Sequence, residues 1–176
     1  MTGKTGMMGT LATRPGFTRA LAAVRGAEIG LLRAVALDLV ATGEGDALQR
    51  LGPDAIEVLR EATGPTSVEI QAHATPDGGA MTFLGRATRG IAVSAHLSIV
   101  AGEGREYLRA AIRLVGTHGS VLVDLLGPAL EVRTAAGTTQ VGYGMPGTQA
   151  RASEAIDTLT AVAESSRTGA ITVTTW

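Results

Sequence analysis

Residues 45–64, GDALQRLGPDAIEVLREATG, decide the fold. Apolar side chains recur at Ala55, Ile56, Leu59 and Ala62, a spacing that lays one stripe along a helix. The sequence sets the helix start at Gly52–Pro53, because a proline in the first turn forfeits no hydrogen bond. It sets the end at Gly64–Pro65. Asp46 and Arg50 then fall in the approach, Asp54 in the first turn and Glu57 one turn on. Asp54 and Glu57 would meet the positive end of the helix dipole there, so a capping role competes with a chemical one.

Upstream, residues 6–13 read as a short strand. Phe17, Ala20, Leu21 and Val24 follow at helical spacing, bounded by Pro15 and Gly26. Residues 31–41 read as a strand. Downstream, residues 67–74 set Val68, Ile70 and Ala72 against Glu69, Gln71 and His73, and Pro76–Gly79 turn the chain back into residues 80–87. Residues 90–100 alternate again, with Ser94, His96 and Ser98 on the polar side. Residues 107–115 set Leu108, Ala110, Ile112 and Leu114 against Tyr107, Arg109 and Arg113. GTHGS, 116–120, is a glycine-bounded turn, and two more strands follow at 129–135 and 138–143. Ala155, Leu159, Val162 and Ala163 form a last helical stripe, and ITVTT closes the chain as a strand. Helices interspersed with such strands predict an α+β fold: a largely antiparallel open sheet with helices on one face.

At 176 residues a single domain over 1–176 is expected, with residues 1–5 a loose start. Hydrophobic content of 45% and charge of 18% describe a globular chain. A net charge of −1 leaves no electrostatic footprint for nucleic acid or an anionic membrane. The absence of cysteine removes disulfides, thiol nucleophiles and thiolate metal sites. No apolar run reaches transmembrane length and no signal peptide is evident, so a cytoplasmic location is expected. Gly3-Lys4-Thr5 has no preceding strand to make a phosphate-binding loop. Gly142-Tyr-Gly-Met-Pro-Gly147 fits G-x-G-x-x-G, but the strand after it is short and carries no acid for a ribose, so a flexible loop is the expectation.

The pattern G-x-A-L-x-x-L-G-x-x-A-I-x-x-L-x-x-x-T-G in residues 45–64 resembles the central motif of the glucose–fructose oxidoreductase, inositol dehydrogenase and rhizopine-catabolism oxidoreductases. There the motif reads G-G-A-L-x-D-x-G-x-H-x-x-D and opens the C-terminal, substrate-binding domain. The Arg14-Pro15 junction, the GTHGS hairpin and the closing a-x-x-S-x-x-x-G-x-x-V segment also resemble that family, in the same order, over residues 8–175. The resemblance implies that domain alone, without the nucleotide-binding half and its catalytic lysine. It places the family's Asp on Arg50, its catalytic His on Asp54 and its later Asp on Glu57. Dehydrogenase chemistry as that family performs it is therefore not expected, because no imidazole is left to take the substrate hydroxyl's proton.

The expected activity is a cofactor-independent one that reuses the former substrate cleft for an apolar biosynthetic intermediate, as a cyclase or isomerase, pericyclic ones included. Restraint of reacting ends can itself supply roughly 7 kcal/mol or more. The alternative is a non-catalytic binding module, or a subunit that docks on a separate nucleotide-binding partner. Asp54, Arg50, His73 and His96 are the candidate catalytic residues. Tyr143, Met145, Tyr107, Met81, Arg113 and Trp176 are candidates to line the substrate pocket. His73 and His96 would share a site if their strands were neighbours. They lack a short ligand spacing, so no metal is expected, and no cofactor. His118 is read as structural, and a Ser94–His96–Asp54 set lacks any nucleophile elbow. Self-association through the open sheet face is expected under every reading.

Overall fold

The computed structural model describes residues 10–103, 106–127, 129–142 and 156–175. The loose start and the first part of the expected strand at 6–13 lie outside them. The rest of that stretch is a 3-10 turn, Leu11–Thr13, not a strand. Thr13 and Arg14 donate to the carbonyls of Thr10 and Leu11 (3.0 and 3.2 Å). Pro15 then holds Arg14 extended at the mouth of helix α1, Pro15–Arg25.

Nine strands form one sheet: β1 (Leu32–Thr42), β2 (Ser67–Ala74), β3 (Ala80–Ala87), β4 (Ile91–Val100), β5 (Tyr107–Gly116), β6 (Gly119–Asp124), β7 (Ala129–Thr134), β8 (Gly137–Gly142) and β9 (Thr172–Thr175). Their order is β8-β7-β6-β5-β1-β4-β3-β2-β9. Every pairing is antiparallel except β1–β4, whose crossover contains helix α2 and the β2–β3 hairpin. The fold is thus the expected α+β one. Alternation sorts each strand between two faces. Val35, Leu37, Leu39, Val93, Ala95, Leu97, Ile112 and Leu114 are buried under the helices, while their neighbours in sequence turn to the other, open face. Burying each such side chain contributes roughly 1.5–3 kcal/mol.

Three helices among the described residues cover the buried face. Helix α1 packs over β5, β6 and β7. Helix α2 (Ala47–Thr63) packs over β1, β3 and β4, and α3 (Ile156–Thr168) over β2 and β9. Helix α2 starts earlier than Pro53 suggests. Asp46 caps it by accepting from the Gln49 amide at 3.0 Å, and Ala47, Leu48 and Leu51 extend the buried stripe backwards. Pro53 lies inside the helix, where it forfeits one backbone bond. Gly52 beside it is buried where α3 crosses: a Cβ there would sit 2.5 Å from the Leu159 side chain. Helix α3 also carries the one buried polar side chain among the described residues. Ser165 Oγ accepts from the Ala72 amide at 2.9 Å and bonds the Ala170 carbonyl at 2.7 Å, fastening α3 to β2.

Candidate functional site

Helix α2 presents Arg50, Asp54, Glu57 and Glu61 at helical spacing, a polar line beside its buried stripe. Because the helix begins at Ala47, Asp54 sits about two turns in, not in the first turn. Asp46 does the capping, so Asp54 is free of that role. Its carboxylate accepts a 2.5 Å hydrogen bond from the Tyr107 hydroxyl. Both side chains are partly buried.

Tyr107 reaches Asp54 through a fault in the ladder. Val40 of β1 faces Arg109, but Ala41 faces Tyr107, so Leu108 is an extra residue. Unbroken alternation would place Leu108 inside and Tyr107 with the arginines, as the sequence suggests. The bulge does the reverse. Tyr107 turns to the helix side and Leu108 is left 58% exposed. Burial and the Asp54 charge hold the phenol far above its ordinary value, and Arg50 offsets this in part. The Glu57 carboxyl is also pushed up, by burial first and then by the Asp54 charge. The arrangement is a phenol that stays protonated, tied to a carboxylate, with a second carboxyl one turn away that protonates more readily than usual.

Arg50 has a different job from the one its sequence position suggests. Its guanidinium donates to the carbonyls of Thr42 (3.0 Å) and Glu44 (3.2 Å), clamping the loop between β1 and α2. Gly43, at φ +134°, lies so close that a Cβ there would sit 2.2 Å from Nη1.

The other candidates do not join this group. His73, His96 and Arg113 lie on the open face, across the sheet from Asp54. The histidines are not on neighbouring strands: β3 runs between, and Thr82 is the register partner of both. Thr82 Oγ1 and His96 Nδ1 are 3.0 Å apart. Ser94–His96–Asp54 therefore cannot form a set, its acid being on the far side of the sheet. On the open face Arg109 pairs with Asp38 (3.0 Å) and Arg133 with Glu131. A shallow hollow of about 390 Å³ there is lined by Arg109, Leu122, Asp124, Glu131 and Gln140. Met81 is buried in the core under the helices. His118 holds the 116–120 hairpin, its amide donating to Ile29. Tyr143, Met145 and Trp176, with most of the G-x-G-x-x-G stretch, lie outside the described residues.

A nicotinamide nucleotide, the cofactor of the resembled family, needs a cradle for its phosphates. The junction nearest in form is β1–Gly43-Glu-Gly45–α2, and it does not fit. The Asp46 carboxylate occupies the helix N-terminus, and Arg50 fills the space over Gly43. Among the described residues no group of three or more His, Asp or Glu side chains is placed to hold a metal ion. No helix among them is long and apolar enough to cross a membrane.

No protein-family model matches the sequence, and no curated protein matches it. Solved structures do. A putative oxidoreductase from Thermotoga maritima superposes with a TM-score of 0.76 at 17% identity, over 96% of this chain and 62% of its own. An Agrobacterium radiobacter oxidoreductase solved with NAD+, L-tartaric acid and magnesium gives 0.73 at 15% identity, over 93% and 63%. A levoglucosan dehydrogenase solved with NADH and levoglucosan gives 0.60 at 17% identity, over 76% and 46%. The fold is that of an oxidoreductase C-terminal domain. The chain spans less than two thirds of the length of these matching chains, and at such identities the likeness speaks to fold alone. Within it, the sequence singled out Asp54 and Tyr107 separately but did not pair them. It placed Glu57 beside Asp54 near the helix start and matched it to the motif's later Asp, but did not make it a candidate site residue. The signal for Glu57 was available, since it shares a helix face with Asp54; nothing in the sequence announced the bulge that delivers Tyr107.

Proposed function

We propose that this domain is the substrate-handling part of a small-molecule enzyme, working by proton transfer at Asp54–Tyr107. The observation that carries the reading is the 2.5 Å bond between them, on the helix face where the resembled family keeps its proton-handling imidazole. Tyr107 gives its O–H to Asp54, so the lone pairs of its oxygen remain to accept from a substrate hydroxyl or acidic C–H. As the substrate proton moves to Tyr107, the phenol proton passes to Asp54, and no free phenolate need form. The proton returns to another atom of the same substrate, giving an isomerisation or ring closure with no net redox change. Glu57, pushed toward its neutral form, is suited to donate to the oxygen that gains charge. Arg50 holds the loop beside them. A largely apolar biosynthetic intermediate in the cytoplasm completes the reading.

Deuterium uptake from D2O into hydroxyacetone and benzoin, two α-hydroxy ketones, tests it directly. Uptake should occur with the wild type and fall at least about a hundredfold, a typical share for a positioned acid–base group, in Asp54→Asn and Tyr107→Phe that keep their melting temperatures. Uptake unchanged in both variants would defeat the reading.

A second reading is a subunit that docks on a separate nucleotide-binding partner. It is favoured by the coverage of 62% and 63% of the first two matching oxidoreductases and by the polar line Arg50–Asp54–Glu57–Glu61 left on α2. Oxidoreductase activity that appears only on mixing with such a partner would support it in place of the first.

A further inference from the structure

Strand β9 is the outermost strand on one side of the sheet, and β2 is its one neighbour among the described residues. An outer strand offers a row of backbone donors and acceptors, and proteins commonly blunt such edges with lysine, proline or a bulge. Strand β9 is short, which by itself limits an edge, but it has none of these. From Thr168 to Trp176 the sequence carries no charge and no proline, and residues 171–175 are all β-branched. Its pairing to β2 runs without a register shift from Thr172 to Thr175. Ile171 and Val173 are 67% and 66% exposed, two of the most exposed large apolar side chains among the described residues. Val173 faces Glu69 across the ladder, so it projects on the open face, toward the same side as exposed Leu84. The opposite edge differs: β8 is bounded by glycines at 137 and 142, and its Val141 is half-buried.

We infer that β9 is an edge-pairing surface for a second copy of this chain, joined antiparallel about a two-fold axis. An edge made of one uncharged β-branched segment is self-complementary, because each copy supplies both the donors and the acceptors that the other needs. No like charges oppose each other at the seam. The pairing brings Ile171 and Val173 of both copies together across the seam and makes one continuous sheet. A four-residue strand buries much less than the roughly 1,200 Å² of a stable interface, so the dimer is weak and dependent on concentration. The inference is independent of any chemistry at Asp54.

Sedimentation velocity over about 10 µM to 1 mM, a span chosen for an interface of this size, should show mass rising toward a dimer. Ile171→Lys with Val173→Lys, both at exposed positions, should weaken dimerisation at least about tenfold without lowering the melting temperature. The chain has no cysteine, so Val173→Cys and Gln140→Cys each accept one spin label. Edge pairing places the Val173 labels within about 20 Å of each other and the Gln140 labels more than about 60 Å apart, from the strand spacing alone. A wild type that stays monomeric, a dimer insensitive to the lysines, or short distances at Gln140 and none at Val173 would each overturn it; the last would instead favour stacking of the open faces.

Discussion

The two faces of the sheet are built from the same strands and are used differently. Under the helices the side chains are close-packed and mostly apolar, and the polar groups there include Ser165, bonded to β2, and Tyr107, bonded to Asp54. The open face carries the arginines, both strand histidines and Asp38, held by exposed pairings such as Arg109–Asp38. Charge-bearing residues are therefore no guide to the candidate site here. The richer collection of them lies on the face where water screens and competes. The smaller collection, around Asp54, lies where burial changes proton affinities.

The largest contrast is within β3. Phe83→Ala should cost about 3–5 kcal/mol of stability, while Leu84→Ala, one residue on and exposed, should stay within about 0.5 kcal/mol; urea melts of the two measure the difference. Ser165→Ala comes next, at about 1–3 kcal/mol, because it strands the buried Ala72 amide. Tyr107→Phe should cost about 1 kcal/mol. It should also leave the phenolate absorbance unchanged just above pH 10, since Tyr107 is held protonated well beyond its ordinary value of 10.0. Glu57→Gln sharpens the comparison through pH. Its folded carboxyl is raised above 4.5, so the ionised form weakens the fold at neutral and alkaline pH and the protonated form does not. The variant should melt higher than wild type at pH 8, and the gain should vanish as pH falls below 4.5. The smallest effects belong to the open face: His73→Ala and His96→Ala should leave both stability and any proton-transfer activity nearly unchanged.

Most of the fold was legible because its signals are local. Residues 67–74 and 91–100 alternate without interruption, and Gly64 ends α2 at a positive φ of 75°, where the sequence ends it. What escaped depends on partners distant in sequence. Pro53 reads as a helix start by its own chemistry, yet the contacts of Ala47, Leu48 and Leu51 and the Asp46 cap carry the helix through it. Leu11 reads as part of a strand, but with Pro15 ahead it closes a buried turn. The histidines look like a pair because nothing in their spacing reveals that β3 folds back between their strands. Asp54 and Tyr107, 53 residues apart, meet only because β5 lies beside β1 and carries one residue too many.

That surplus residue makes the tyrosine's whereabouts a matter of parity. Drawing Leu108 into an even ladder would carry the phenol through to the solvent side, whereas deleting Leu108 would leave it under the helices, because Tyr107 would then adjoin the open-facing Arg109. Two relatives could thus share the same tyrosine and the same aspartate and differ in whether they ever touch, with one bulge kept or flattened as the whole difference between them.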